Sequence, residues 1–472
     1  MMDSERAQSA VGDTMASEQL HLFGKAGQGV STSETASTTI QRRSRSNASA
    51  NKLDHADLPA HNWYRFVLSF APHLVREYLH RFRIGSSHLV LDPFCGTGTT
   101  LVECKKAGVP SVGIEAHPMA HFAATAKTNW RINAQELISH ASEVADKARA
   151  RLALDGIEDL SLQPTNGRSS PDLLTLPDEA LRLLLKDSIS PLPLHKTIVL
   201  LASLGASRSA EFDAHERLVL ANALVTSIGN LHFGPEVGIG QIKGDAPVVG
   251  PWLDQVKRIA ADIQTLKDRA HVPATVMLSD ARALGELLPP ASVDAVFTSP
   301  PYPNEKDYTR TMRLESVLLG FITNKEQLRA LKKSLVRSNT RGVYVSDTDD
   351  EWVSEFPEIA DLAEQIEARR ESLGKTSGFE RMYHRVTLLY FGGMARHLSS
   401  LRRCLRPGAM LGYVVGDQAS YLRVMIKTGE ILARIAESLG YVVVGIDLFR
   451  TRLSTATKQQ LREEVVVLRW PG

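Results

Sequence analysis

The chain has 472 residues, 43% of them hydrophobic and 23% charged, which is globular composition with room for roughly two to four domains. Mean hydropathy is slightly negative, no apolar run reaches the roughly 18 residues of a membrane span, and no charged-then-apolar leader opens the chain. Three cysteines (Cys95, Cys104 and Cys404) lack both a disulfide framework and zinc-site spacing, so a reducing, cytoplasmic setting without a metal site is expected; the net charge of +2 requires any basic surface to be local.

Residues 1–55 are rich in Ser, Thr, Ala and Gln and predict a disordered tail. Its basic knot at Arg42, Arg43 and Arg45 reads either as a solvated stretch or as a phosphate contact. Residues 61–82 (HNWYRFVLSFAPHLVREYLHRF) end in an amphipathic helix that Gly85 breaks. Short apolar runs at 88–91 and 111–114 end at Asp92 and Glu115, with a helix between them that stops near Gly108. This is a β–loop–α–β unit.

From about 120 to 270 the pattern is mainly helical, interrupted by a Gly/Pro-rich stretch at 234–251. Strands return at 275–279 and 293–297, the second running into Thr298-Ser299-Pro300-Pro301-Tyr302. After a polar, helical region at 303–384 come a helix at 386–404, a strand at 409–415 and a helix at 428–439. Strands near 441–448 and 464–470 close the chain as a hairpin. The pattern predicts an α/β fold: a Rossmann-like sheet of seven strands with two mainly helical insertions. Residues 56–118, 272–320 and 385–472 form the sheet-bearing domain. Residues 119–271 form a helical insertion and candidate recognition or partner-binding domain, and 321–384 a second insertion, basic then acidic.

Three features carry chemistry. Asp92-Pro93-Phe94-Cys95-Gly96-Thr97-Gly98-Thr99-Thr100 places two glycines where a strand turns into a helix. Such a turn lets backbone approach a ligand and points free N–H groups at it, although a tight turn without a ligand has the same pattern. A dinucleotide site wants a third glycine at position 101, which is Leu101, so nicotinamide chemistry is disfavoured. Glu115 ends the second strand about 20 residues after the turn, where a carboxylate accepts ribose hydroxyls or simply caps a helix. Ser299-Pro300-Pro301-Tyr302 follows a strand, and its two prolines hold the neighbouring groups rigidly at the sheet edge.

Together, Asp-Pro-Phe-x-Gly-x-Gly-Thr-Thr and Ser-Pro-Pro-Tyr resemble the S-adenosylmethionine-dependent DNA amino-methyltransferases, which methylate N4 of cytosine or N6 of adenine. The resemblance implies that Asp92, Phe94, Gly96 and Gly98 hold the methionine end of the cofactor. It implies that Glu115 binds the ribose and Asp280 the adenine amino group. The segment with His61, Trp63, Phe70 and Pro72 resembles the cofactor-contacting N-terminal helix, and Ser299, Pro300, Pro301 and Tyr302 the catalytic motif. The glycine loop precedes Ser-Pro-Pro-Tyr, so the motif order is unpermuted.

The chemistry explains the residue types. An exocyclic amine on a base is a poor nucleophile, because its lone pair is delocalised into the ring. Acceptors at its N–H protons, here Ser299 Oγ and a carbonyl of the Pro-Pro turn, favour pyramidal nitrogen, and in-line transfer from sulfur then depends on positioning. Tyr302 is placed to stack on an extruded base. Cytosine C5 methylation needs a cysteine nucleophile, usually after proline, and no cysteine here follows one. Gly374-Lys375-Thr376 lacks the earlier glycine of a phosphate loop, since position 369 is Arg369. Ser in the first motif position tilts the target toward cytosine N4, with adenine N6 or an RNA amine as alternatives.

Residues 306–341 hold nine Lys and Arg against three acids. Lys306, Arg310, Arg313, Lys332, Lys333 and Arg337 are the candidates for tracking the phosphates of double-stranded DNA, the alternative being a solvated helical face. Residues 347–367 carry nine acids and no Lys or Arg, as a lid on the basic block or as a soluble helix. Family habit adds a restriction nuclease, or another defence-system protein, as a partner.

Overall fold

The computed structural model describes residues 53–64, 66, 69–159, 172–234, 236–304, 306–453 and 460–472. The expected tail lies almost wholly outside the described residues, and so does the knot of Arg42, Arg43 and Arg45. The first half contains α1 (Pro72–Arg81), β1 (Val90–Asp92), α2 (Thr99–Ala107), β2 (Ser111–Glu115), α3 (Pro118–Thr128), α4 (Ala134–Leu154), α5 (Pro191–Ala206), α6 (Asp213–Ala223), β3 (Leu231–Phe233) and β4 (Val237–Ile239). Then follow α7 (Val249–Leu266), β5 (Ala274–Leu278), β6 (Val293–Thr298), α8 (Lys325–Ser334), α9 (Pro357–Ser372), α10 (Tyr383–Leu401), β7 (Leu405–Gly416), α11 (Thr428–Ser438), β8 (Val442–Leu453) and β9 (Gln460–Arg469).

Seven strands form one sheet in the order β5-β2-β1-β6-β7-β9-β8. The pairs from β5 through β7 are parallel, and β9 runs antiparallel to both β7 and β8. Strand order reverses at β1, which has β2 on one side and β6 on the other. Ligands in open α/β sheets bind in the crevice beyond the strand ends at such a reversal. The seven anticipated strands are the seven of the sheet. The β3–β4 hairpin is additional, and it falls in and beside the Gly/Pro-rich stretch that reads as a loop.

Strands β1 and β6 are covered on both faces, so their sequences run as apolar blocks without alternation. On one face Leu74, Val75 and Tyr78 of α1 pack against Val90, Phe297, Val414 and Val465. The Tyr78 ring stacks on Phe297 at 5.0 Å, and burial of such a side chain is worth roughly 1.5–3 kcal/mol. Pro72 sits in the first turn of α1 and sets its start, leaving Phe66, Ser69 and Phe70 to lead across the crevice.

Helix α3, counted from the sequence as the start of an insertion, packs on the sheet as the crossover from β2 toward β5. Helices α4 to α7 extend that layer. Trp63, Trp130, Leu137, Leu218, Trp252 and Leu314 lie in one continuous core, so residues 119–271 share their interior with the segments on either side. The second insertion docks on α10 where Gly392 permits it: a Cβ there would sit 1.8 Å from the Asp349 carbonyl oxygen. Among the described residues no helix is long and apolar enough to cross a membrane.

Candidate active site

A cavity of about 700 Å³ opens beyond the C-terminal ends of β1, β2, β5 and β6. Its size falls within the range of small-molecule sites, about 300–1,000 Å³. Phe70, Phe94, Gly96, Glu115 and Asp280 line it, together with Ser299, Pro300, Pro301 and Tyr302.

The loop after β1 is organised from beneath. Asp92 is 1% exposed; its Oδ1 accepts from Thr298 Oγ1 at 2.6 Å and from the Phe94 N–H at 3.2 Å. The carboxylate thereby ties the end of β1 to the end of β6, and burial pushes it up to about 6. Gly98 caps the start of α2 with φ of +86°, and a Cβ there would lie 3.2 Å from Ala124. Of the four motif residues expected to hold the methionine end of the cofactor, Phe94 and Gly96 line the cavity and Asp92 and Gly98 do not. They shape the loop whose Phe94, Cys95, Gly96 and Thr97 do line it. The Cys95 thiol is buried and held well above its ordinary value, so it is an unreactive packing group.

Glu115 Oε2 accepts the Gly96 N–H and Oε1 the His117 N–H, both at 2.8 Å. Burial nevertheless pushes its carboxyl up to about 7. Asp280 is clamped by the Arg282 guanidinium, with Nε at 3.0 Å and Nη2 at 2.6 Å, and Arg282 also reaches Asp349. His117, which sequence reasoning missed, caps α3. Its Nδ1 accepts from the Met119 N–H at 3.2 Å, so the proton sits on Nε2. That Nε2 is buried on the cavity wall and has no partner among the described residues, as is true of Thr97 Oγ1 and Asn339 Oδ1. Unmatched donors and acceptors around two carboxylates at adjacent strand ends fit an adenosine-type ligand such as S-adenosylmethionine.

In the Ser-Pro-Pro-Tyr motif Ser299 Oγ donates to the Val414 carbonyl at 3.2 Å. The same hydroxyl also has a side-chain hydrogen bond with the Tyr302 phenol. Burial holds the Tyr302 phenol well above its ordinary value, with Glu463 adding and Ser299 opposing. Gly416 leaves room for that ring, since a Cβ there would lie 3.3 Å from it.

The basic block divides on inspection. Arg337 is 4% exposed; it forms a two-pronged pair with Asp347 at 2.8 and 2.9 Å and donates to the Lys332 carbonyl at 2.8 Å. Arg313 donates to the carbonyls of Thr309 and Leu183. Both were expected to face phosphate; Arg337 lines the cavity and Arg313 does not, and each is held by these internal partners. Lys332 lines the cavity but is paired with Asp307 at 3.0 Å. Arg310 lies 3.8 Å from Glu236, in the turn between β3 and β4, and Lys333 covers the Tyr344 ring at 5.5 Å. Lys306 lines the cavity. Opposite it, the β8–β9 hairpin contributes Arg450, paired with Glu463 at 2.5 Å, and the more exposed Arg452. The alternation of Arg450 and Arg452 at the end of an apolar strand was the available signal for these two.

Residues 38–126 match the N6/N4 methyltransferase family, described as DNA methylase. Type II methyltransferase M.BsoBI of Geobacillus stearothermophilus is 26% identical over 440 residues, covering 87% of this chain and 84% of its own length. Type II methyltransferase M.AvaI of Nostoc sp. is 26% identical over 460 residues, covering 88% and 87%. A shorter match, 41% over 59 residues and 12% of this chain, is to Type II methyltransferase M.MjaII of Methanocaldococcus jannaschii, 11% of whose length it covers.

Proposed function

The chain belongs to the S-adenosylmethionine-dependent DNA amino-methyltransferase family, and from that premise we propose that it methylates N4 of cytosine within a specific sequence of double-stranded DNA. The setting is a restriction-modification or related defence system, with a nuclease as the functional partner. One observation carries the reading of the site. Ser299 Oγ, its proton given to the Val414 carbonyl, lines the same cavity as Glu115 and Asp280.

The bound cofactor supplies a methyl group on a positively charged sulfur. Glu115 accepts its ribose hydroxyls, Asp280 its adenine amino group, and the loop Phe94–Thr97 supports its methionine end. A cytosine turned out of the duplex enters against Tyr302, whose ring stacks on the base. Ser299 Oγ and a carbonyl of the Pro300–Pro301 turn accept the two N–H protons of the amine. This draws the nitrogen lone pair out of the ring and toward the methyl group, and the rate gain is one of alignment. Serine, rather than Asp or Asn, before Pro300-Pro301-Tyr302 is what tilts this reading to N4 over N6.

Ser299→Ala and Tyr302→Ala each lower methyl transfer by about 10²–10³-fold, the cost of losing one positioned group at a reacting centre. Cofactor binding survives in both, measured separately by titration. Wild-type transfer rates in both variants would overturn the assignment.

A further inference from the structure

Lys127, in the last turn of α3, is 2% exposed, and its ammonium has one long contact, to the Tyr64 carbonyl at 3.5 Å. It forms no ion pair among the described residues. The other deeply buried lysines are satisfied: Lys196 pairs with Asp245 at 2.8 Å, and Lys105 donates to the carbonyls of Ala270 and Val272. A buried cation without a counter-charge is costly, so an unpaired one needs a reason.

The place it occupies supplies one. Lys127 borders a chamber of about 20 Å³, the size that holds one water. Ser69, Phe70 and Thr99 form other walls of that chamber, and the same three residues line the large cavity. Thr99 is the first residue of α2, whose free N–H groups favour negative charge at this end. This small recess and the large cavity thus share the wall at Thr99, where the glycine loop becomes a helix. Of the groups on S-adenosylmethionine, one is an anion, the carboxylate of its amino-acid end.

We propose that Lys127, acting through the one-water chamber, is the counter-charge that positions this carboxylate and makes the site selective for the intact amino-acid end. The inference rests on the cofactor reading above. Lys127 is a positioning residue and takes no part in methyl transfer.

Charge around the ammonium fits an exchange of partners. Burial lowers Lys127 to about 7; Lys106 pushes the same way and Cys95 the other. Nearby His61 is bonded to Glu103 at 2.7 Å, and Glu103 is itself held by Arg76 at 2.5 Å, so that carboxylate is already engaged. An arriving carboxylate raises the affinity of Lys127 for its proton. Glu115 works in the opposite sense by losing a proton to meet the ribose, so the Lys127 contribution is read as a difference between variants.

The test is calorimetric titration of wild type and Lys127→Met with S-adenosylmethionine and with its decarboxylated analogue, in buffers of different ionisation heat. Lys127→Met is expected to weaken S-adenosylmethionine binding about tenfold or more, the scale of a charged hydrogen bond. Binding of the decarboxylated compound stays unchanged, and proton uptake with S-adenosylmethionine is larger in wild type than in the variant. Equal weakening of both ligands, or of neither, would overturn the proposal and leave Lys127 as a prop for the Tyr64 carbonyl. Failure of wild type to bind either ligand removes the cofactor reading and this inference together. Where Lys127→Met does not fold by thermal melting, wild type decides: uptake near pH 7 that is no greater with S-adenosylmethionine than with the decarboxylated compound contradicts the role.

Discussion

Glu115, on the cavity wall, is held by backbone N–H groups; Arg310 and Arg341, outside that wall, are held by the carboxylate of Glu236. Glu115 is gripped by the amides of Gly96 and His117 on neighbouring strand ends, and these contacts move only if the sheet moves. Arg310 and Arg341 lie 3.8 and 3.6 Å from Glu236, in loose, partly exposed pairs that an arriving phosphate can displace at little cost. A small ligand of fixed shape calls for the first construction. A long polyanion that must be entered, read and released calls for the second. Within the basic block itself, Arg337 is locked to Asp347 by a buried two-pronged pair, whereas Arg310 and Arg341 share a loose contact with Glu236.

Arg337→Ala gives the sharpest test of that division. Removing one partner of a buried pair leaves Asp347 uncompensated, and the expected loss is about 3–5 kcal/mol in chemical denaturation. The salt dependence of DNA binding by the folded variant stays at its wild-type slope. A variant of wild-type stability with a shallower slope would place Arg337 on the DNA side after all.

Glu115→Gln addresses the rigid construction. It lowers affinity for 5′-methylthioadenosine, which carries the adenine and ribose, by about tenfold. Because burial pushes the carboxyl up to about 7, the empty site is protonated below that pH. Ribose hydroxyls donate to the ionised form, so wild-type affinity rises as pH increases through 7 and levels off above it. Glu115→Gln shows no such rise; a flat wild-type profile would remove Glu115 from the ribose.

Basic side chains lining the cavity give the smallest effects. Lys306→Ala and Arg452→Ala each weaken DNA binding a few-fold, uniformly across sequences, and lower the salt slope by about 0.9 for each phosphate no longer neutralised. Neither changes cofactor affinity in a titration. A change of sequence preference with an unaltered slope would mean that these side chains read bases.

The sheet was legible because its signals are local. Apolar runs covered on both faces, each followed by a turn with Gly, Pro or a carboxylate, mark the strands and the crevice beyond them. Phe94, Gly96, Glu115, Asp280, Ser299 and Tyr302 come to one cavity for the same reason, since each lies at or just beyond the C-terminal end of a strand. What stayed hidden depends on partners far away in sequence. Arg337 and Lys306 look alike until Asp347 claims one of them, and Asp92 looks like a ligand residue until Thr298 arrives from 206 positions on. His117 carries no signal until α3 places its Nδ1 on the Met119 amide and leaves Nε2 unmatched. The β3–β4 hairpin was concealed by its glycines, which weaken the strand pattern without preventing the pairing.

The central claim is the reaction itself. Incubating the full chain with labelled S-adenosylmethionine and mixed-sequence duplex DNA, followed by mass spectrometry of the nucleosides, tests it most directly. The account predicts N4-methyldeoxycytidine; an N6-methyldeoxyadenosine product keeps the Ser-Pro-Pro-Tyr mechanism and reverses the base. Unmethylated DNA from a protein with demonstrably bound cofactor would contradict it.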